Sequence, residues 1–232
     1  MARKKEFGEG PLYTTFNYIM WIFTSNIYFM LCNILLIIYF MSAGKDISNS
    51  YVLLYIALLP MFPALTALYA TVGKIIREKD ISVTTYFFKS YKRNFKQSFF
   101  LGFIECTAIS IAALDIKYFS ALKYGAYIVP FFIVLIVFIF MIGLYVFPLI
   151  SRFYLKTTDL IKISFVYSIK KIHITIFILS SITCAGFIFY IIPQIAIFFI
   201  FAGLCYTIMF YEMKILNELE TQNIKNEDQK EL

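Results

Sequence analysis

Glu105 is the residue of this sequence most capable of chemistry in an apolar environment. It is the only carboxylate well inside a long apolar run, and a helix beginning at Ser98 would place it roughly 10 Å deep at 1.5 Å per residue. An acid at that depth is costly unless it faces protein or water, is paired, or stays protonated. Glu105 could therefore be a proton or substrate site, or it could form an internal hydrogen bond or a pair with Arg152.

Small and polar residues predict how this acid would be positioned. Gly102, Ala108 and Ala112 share a helix face with Glu105 and would allow a neighbouring helix to approach closely. We therefore expect Glu105 to face the interior of a helix bundle. Asn33, in an earlier apolar run, is a second candidate for an intramembrane polar site, and we expect it to bond to a neighbouring helix, as we do for Asn26.

Motifs for catalysis or metal binding do not occur. His173 is the only histidine, and the four cysteines lie inside apolar runs without a CxxC spacing. No P-loop, GxSxG or HExxH pattern is present. We therefore predict no catalytic residue, no cofactor and no metal, and a protein that is not an enzyme.

Composition predicts an all-α polytopic membrane protein. The chain of 232 residues is 61% hydrophobic, its mean hydropathy is +0.78, and most of it falls into apolar runs near the length of about 20 residues that crosses a bilayer. We expect a tether at 1–15, a membrane domain at 16–211 and a tail at 212–232. Six spans are predicted, at about 16–41, 51–72, 98–114, 124–150, 172–190 and 194–211.

Prolines should shape two of these spans. Pro60 and Pro63 lie in the second, and Pro130 and Pro148 lie in the fourth. Proline removes a backbone donor and disturbs the preceding turn, so we expect kinks or local unwinding there. Broken membrane helices can frame a binding site, although a bend accommodated by packing is the commoner outcome.

A basic segment at 73–97 connects the second and third spans. Read as a helix from Ser82, it places four cations on one face and four aromatic residues on the other. The cations are Lys89, Lys92, Arg93 and Lys96, and the aromatic residues are Phe87, Phe88, Tyr91 and Phe95. We predict an amphipathic helix in the headgroup plane, with a solvated connector as the alternative.

A second basic segment, 152–171, also suggests an amphipathic loop helix. Together the two segments predict contacts with a partner protein or anionic lipid through seven cations: Lys89, Lys92, Arg93, Lys96, Arg152, Lys170 and Lys171. The net charge of +7 is explained by topology and anionic lipid, so no nucleic-acid partner is expected.

The distribution of positive charge predicts the orientation. With the N-terminus inside and six spans, all but Lys45, Lys117 and Lys123 of the 21 Lys and Arg residues lie on the cytoplasmic side. This is a strong positive-inside bias. We therefore predict a multi-pass protein of the cell membrane with both termini in the cytoplasm.

The stretch from Leu58 to Gly102 resembles the YesL-like family of small integral membrane proteins from Gram-positive bacteria, known mainly as a domain of unknown function. The similar features are the LPMFPALTALY run, the KIIR patch and the FFKSYKRNFKQS segment. The chain departs from the usual family pattern at Met61 and Phe62, between the two prolines. Family members often lie beside genes for carbohydrate ABC importers, so the resemblance implies an accessory role in sugar uptake.

Two functions follow as hypotheses. The first is a non-catalytic accessory protein whose basic cytoplasmic segments contact the permease or ATPase subunits of a carbohydrate ABC importer. The second is a small solute transporter or channel that uses Glu105 and the proline-containing spans. The sequence leaves the oligomeric state open.

Overall fold

The computed structural model describes residues 11–42, 51–78, 81–122 and 124–228. All regular secondary structure in these ranges is helical. The helices are α1 (Pro11–Cys32), α2 (Ile34–Ser42), α3 (Tyr51–Leu58), α4 (Met61–Arg77), α5 (Val83–Ser120), α6 (Gly125–Arg152), α7 (Thr157–Lys170), α8 (Ile172–Ile191), α9 (Pro193–Ala196) and α10 (Ile200–Asp228).

Four of these helices, or pairs of helices, are long and apolar enough to cross a membrane. They are Val52–Arg77, which joins α3 and α4, together with α5, α6 and α8, and a fifth results if α1 and α2 are counted as one bent span. The protein is therefore an all-α, multi-pass membrane protein, as the composition predicts. The predicted sixth span, 194–211, corresponds to α9 and the first part of α10, which continues to Asp228.

The first predicted span is not a straight helix. Between α1 and α2 the axis bends by 67°. The bend falls at Asn33, whose side-chain amide donates to the carbonyl of Phe29 over 2.8 Å. This local bond competes with regular helical geometry at the junction. The single span predicted over 16–41 is therefore two helices with different directions.

The second predicted span is interrupted at its first proline, as expected. Helix α3 ends at Leu58 and α4 begins at Met61, with Pro60 between them. Pro63 lies in the first turn of α4, where a backbone N–H has no intrahelical partner in any case. The interruption therefore costs α4 little, and the helix continues to Arg77.

The fourth predicted span differs from the expectation of a proline-broken helix. Helix α6 is continuous, with Pro130 and Pro148 inside it. Residues 143–151 are all buried, so packing holds this end of the helix together. The hydroxyl of Ser151 also donates to the carbonyl of Pro148 over 2.6 Å.

The separate interfacial helix predicted before the third span is not observed. The basic segment and the third span form one helix of 38 residues. At 1.5 Å per residue it is about 57 Å long, roughly twice the thickness of a bilayer's hydrocarbon core. Ser90, Asn94 and Ser98 continue the buried stripe of Val83 and Phe87 toward the membrane span, so α5 packs along its length and does not break.

The core lies around α4, which packs against α1, α5, α6 and α10. Its buried residues include Ala64, Ala67, Leu68, Val72 and Ile75. Small alanine side chains let neighbouring helices approach closely in a membrane protein. Helices α7 and α8 lie at the periphery, where α8 contacts α7, α9 and α10.

Candidate functional site

Three lysines on the first half of α5 form an exposed basic surface. Lys89, Lys92 and Lys96 are exposed, and none of them forms an ion pair in the described part of the chain. Phe88 and Phe95 are also exposed on this part of the helix. We call Lys89, Lys92 and Lys96 the α5 basic surface.

Phe87 does not lie on a headgroup-facing surface, where the amphipathic-helix prediction places it. Phe87 is completely buried and packs against Tyr28 of α1, with ring centroids 5.8 Å apart. It belongs to the core and does not face the headgroups. Burial of so large a ring stabilises the contact between α5 and α1 by roughly 1.5–3 kcal/mol.

Arg93 is exposed, but its guanidinium is bonded within the protein. Its guanidinium donates to the carbonyl of Ser151 at 3.4 Å and to the side-chain oxygen of Asn94 at 3.3 Å, and it lies 5.1 Å from the ring centroid of Tyr154. Gln97 reinforces this contact by donating to the carbonyl of Leu155 at 2.9 Å. Both side chains fasten α5 to the link between α6 and α7, so Arg93 has less freedom to contact a partner than the neighbouring lysines.

The predicted cations of the second basic segment also include both paired and exposed side chains. Arg152 forms an ion pair with Glu220 and donates to the side-chain oxygen of Asn217 at 2.9 Å, and its side chain is only 12% exposed. Lys171 pairs with Glu218 at 3.0 Å. Lys170 is exposed. Arg152 and Lys171 thus hold α10 in place, which the sequence alone did not indicate.

Glu105 lies against α6 and is not paired with Arg152. A Cβ added at Gly143 would overlap the Glu105 carboxyl, so the absence of a side chain at Gly143 makes room for it. Glu105 also lines a cavity of about 160 Å³ between α5 and α6, together with Ala108 and Ile161. Its carboxyl has no hydrogen bond or ion pair to any residue that the structure describes. The acid therefore faces the protein, as expected, beside a small and mostly apolar space.

The two asparagines of the first predicted span behave differently. Asn26 bonds to a neighbouring helix as predicted: its amide donates to the carbonyl of Ile197 at 2.8 Å, and its oxygen accepts from the backbone N–H of Ala202 at 3.0 Å. These two groups flank the turn between α9 and α10. Asn33, between α1 and α2, instead bonds to the carbonyl of Phe29 in α1, and its buried Oδ1 has no partner among the described residues.

Glu212 is a buried acid that the sequence reasoning missed. It is 2% exposed, and its Oε1 has no hydrogen-bond partner in the described part of the chain. It lies in the buried core near Tyr69, Tyr145 and Cys205. The signal was present in the helical periodicity, because Glu212 falls on the same face as Cys205, Ile208, Met209, Ile215, Leu216 and Leu219.

Metal ligands do not cluster in the described residues. No group of three or more His, Cys, Asp or Glu side chains there could hold an ion. The four cysteines are free thiols and His173 is exposed. Within the described residues, the arrangement offers exposed charged surfaces and two buried or partly buried acids, Glu105 and Glu212.

Comparison with known proteins gives two similar relatives. Uncharacterized protein YteU of Bacillus subtilis (strain 168) is 27% identical over 172 residues, which cover 73% of this chain and 78% of YteU. Uncharacterized protein YesL of the same organism is 26% identical over 117 residues, covering 50% of this chain and 56% of YesL. No solved structure matches the chain.

A family model also matches the first half of the molecule. The match is to the protein of unknown function DUF624 and covers residues 15–116. This range begins within α1 and ends near the end of α5, so it includes the α5 basic surface and Glu105. The similarity to the YesL-like family that the sequence predicts is thereby confirmed, and residues 15–116 carry the sequence pattern of a family whose function is unknown.

Proposed function

We propose that this protein is a non-catalytic membrane accessory protein that binds another membrane complex through the α5 basic surface. The observation that carries the proposal is the state of Lys89, Lys92 and Lys96, which are exposed and unpaired while Arg93, Arg152 and Lys171 are engaged within the protein. Unpaired cations beside exposed aromatic rings favour contact with an acidic protein surface.

The continuity of α5 supports this role. About 20 residues cross the hydrocarbon core, so about 18 of the 38 residues of α5, roughly 27 Å of helix in total, lie outside it at its two ends. The two halves of α5 differ in charge. The lysines lie between 89 and 96, and between them and Asp115 the only charged residue is Glu105. The first half therefore extends outside the hydrocarbon core as a rigid arm.

The topology is part of the proposal. We place both termini in the cytoplasm of the cell with six spans, counting α1 with α2 as the first and α9 with the start of α10 as the last. The positive-inside distribution supports this orientation. The α5 basic surface then faces the cytoplasm, where an ATPase or the cytoplasmic loops of a permease are accessible. A carbohydrate ABC importer is the partner that the resemblance to YesL-like proteins implies.

Affinity purification from native membranes tests the proposal. The chain is isolated in mild detergent, and co-purifying proteins are identified by mass spectrometry. We expect importer permease or ATPase subunits at stoichiometric amounts, and we expect the triple change of Lys89, Lys92 and Lys96 to Glu to abolish their recovery. The physical reason is that three attractive contacts become repulsive toward an acidic surface.

Two controls make the result specific. Changing the same three residues to Arg preserves the charge and should preserve binding. Changing Lys117, Lys156 and Lys162 to Glu makes an equal change of charge at exposed positions outside the predicted contact residues, and it should leave the partner bound. Undiminished co-purification of the α5 triple Glu variant would refute docking through this surface.

Solute transport is the second candidate function. The cavity of about 160 Å³ beside Glu105 supports it, because a small site with one acid could hold a proton or a cation. The lack of a second ionisable side chain lining this cavity counts against a proton relay. Recovery of the chain alone in the purification would favour transport over docking.

A further inference from the structure

An apolar groove lies between α8 and α10, and none of its lining residues belongs to α5. Its volume is about 670 Å³, and α9 contributes to its wall. Residues of α8, α9 and α10 line it, including Ser181, Cys184, Ala185, Ile195, Gly203 and Thr207. At Gly203 the space is open enough that an added Cβ would meet nothing within 4 Å.

The groove presents an apolar lining despite its hydroxyl groups. Ser181 donates to the carbonyl of Phe177 at 2.8 Å, and Thr207 donates to the carbonyl of Gly203 at 3.0 Å. Hydroxyls bonded to their own helix leave little demand for a polar ligand. The groove borders α8, a helix long and apolar enough to cross the membrane. An apolar lining of this kind suits a hydrocarbon chain.

A second cavity, of about 470 Å³, adjoins the open end of the groove. Phe177 and Tyr211 line both spaces, and their rings stack with centroids 5.3 Å apart. The two spaces are thus neighbouring parts of one surface between α8 and α10.

The second cavity carries hydrogen-bond donors suited to an anion. His173, Lys214 and Asn217 line it. Lys214 is exposed and forms no ion pair in the described part of the chain. The oxygen of Asn217 already accepts from Arg152, which leaves the NH2 group of this amide as a donor.

Along α10 the length of the groove is close to the thickness of one leaflet of a bilayer. From Tyr211 to Ile200 along α10 the groove extends about 17 Å at 1.5 Å per residue. Half of a hydrocarbon core of roughly 30 Å is about 15 Å. The donors lie where α8 begins, next to Lys171, so a headgroup at the membrane surface would be continuous with a chain in the groove.

We propose that the surface between α8 and α10 is a binding site for one anionic phospholipid, with its phosphate at His173, Lys214 and Asn217 and an acyl chain along Gly203. Basic pockets between membrane helices on the cytoplasmic side are suited to such headgroups. This site is separate from the α5 basic surface, so either proposal can fail without the other.

Native mass spectrometry of the purified full-length chain tests this site. The probes are phosphatidylglycerol and phosphatidylcholine with identical acyl chains. We expect one phosphatidylglycerol to bind roughly tenfold more tightly than phosphatidylcholine. Both lipids carry an anionic phosphate, but the quaternary ammonium of phosphatidylcholine cancels its net charge and is repelled by Lys214, whereas phosphatidylglycerol keeps a net negative charge. Lys214→Gln should remove this preference, whereas Gly203→Leu should weaken the binding of both lipids by filling the groove.

Matched variants separate the effect from general damage. Gly186→Leu adds the same side chain to α8 at a position with open space that does not line the groove, and it should bind like the unmodified protein. Lys156→Gln removes an exposed cation elsewhere and should also have no effect.

Three outcomes would overturn the proposal. Equal binding of the two lipids, unaffected by Lys214→Gln, would exclude the headgroup site. Displacement of phosphatidylglycerol by free inorganic phosphate, together with normal binding by Gly203→Leu, would indicate a site for a soluble anion. A change from dimer to monomer in Gly203→Leu, without lipid loss, would show that the groove binds a helix of a second copy.

Discussion

Asn26 shows how one polar side chain can stabilise an irregular membrane helix. The chain between α9 and α10 turns at 197–199, which interrupts the helical hydrogen-bond pattern. An unpaired backbone group in an apolar environment is costly, and Asn26 satisfies one donor and one acceptor there. Phe23 and Phe29 of the same helix pack against Phe199 and Phe201, so polar and apolar contacts act together.

Replacement of Asn26 should therefore destabilise the protein more than replacement of Asn33. Asn26→Leu leaves the N–H of Ala202 and the carbonyl of Ile197 without partners, at a cost of about 1–3 kcal/mol each. Asn33→Leu removes a bond to Phe29 and an oxygen that already lacks a partner. We expect a lower thermal midpoint in detergent for Asn26→Leu than for Asn33→Leu. Equal midpoints would mean that the contact with α9 and α10 contributes little.

At the scale of elements, α5 shows how a sequence pattern can be correct while its structural interpretation is incomplete. Exposed lysines do alternate with buried residues along its first half, as in an amphipathic helix. The same periodicity continues through Asn94 and Ser98 to Leu101, so no boundary separates the basic part from the span. The α5 basic surface and Glu105 therefore lie on one continuous helix.

Close contact between α4 and α5 depends on Gly102. A Cβ there would overlap the Cβ and ring of Phe62, which stacks on Phe147 of α6 with ring centroids 5.3 Å apart. We predict that Gly102→Ala destabilises the protein by about 1–3 kcal/mol, as is typical of overpacking. The measurement is thermal unfolding in detergent.

Gly186→Ala is the control for this effect. It has open space around it, so the better helix propensity of alanine should leave stability unchanged or slightly increased. If Gly102→Ala were as stable as Gly186→Ala, α4 and α5 would not approach as closely as described.

At the scale of the whole molecule, the two ends of α5 should lie on opposite sides of the membrane. Lys89 and Lys117 are both exposed and are about 42 Å apart along the helix axis. We predict that a membrane-impermeant thiol reagent labels Lys117→Cys in intact cells and Lys89→Cys only in inverted vesicles, in a background without the four native cysteines. Labelling of both positions from the same side would show that α5 does not cross the membrane.

The sequence by itself determined the class of the protein, the positions of most spans and the location of its positive charge. These are local properties, because hydropathy and charge are summed over consecutive residues. The break at Pro60 and the inward position of Glu105 could be predicted for the same reason, from a proline and from neighbouring small residues. The continuity of α5 could not be predicted, because two separate helices and one continuous helix would show the same periodicity of buried residues.

Only the tertiary structure decided which charged groups remain available. Arg152 and Glu220 are 68 residues apart in the chain, and Lys171 and Glu218 are 47 apart, so their pairing depends on how α10 packs against the other helices. The same packing buries Glu212 and leaves Lys89, Lys92 and Lys96 exposed. Contacts between distant segments depend on how all the helices pack together. No single stretch of the sequence therefore predicts them.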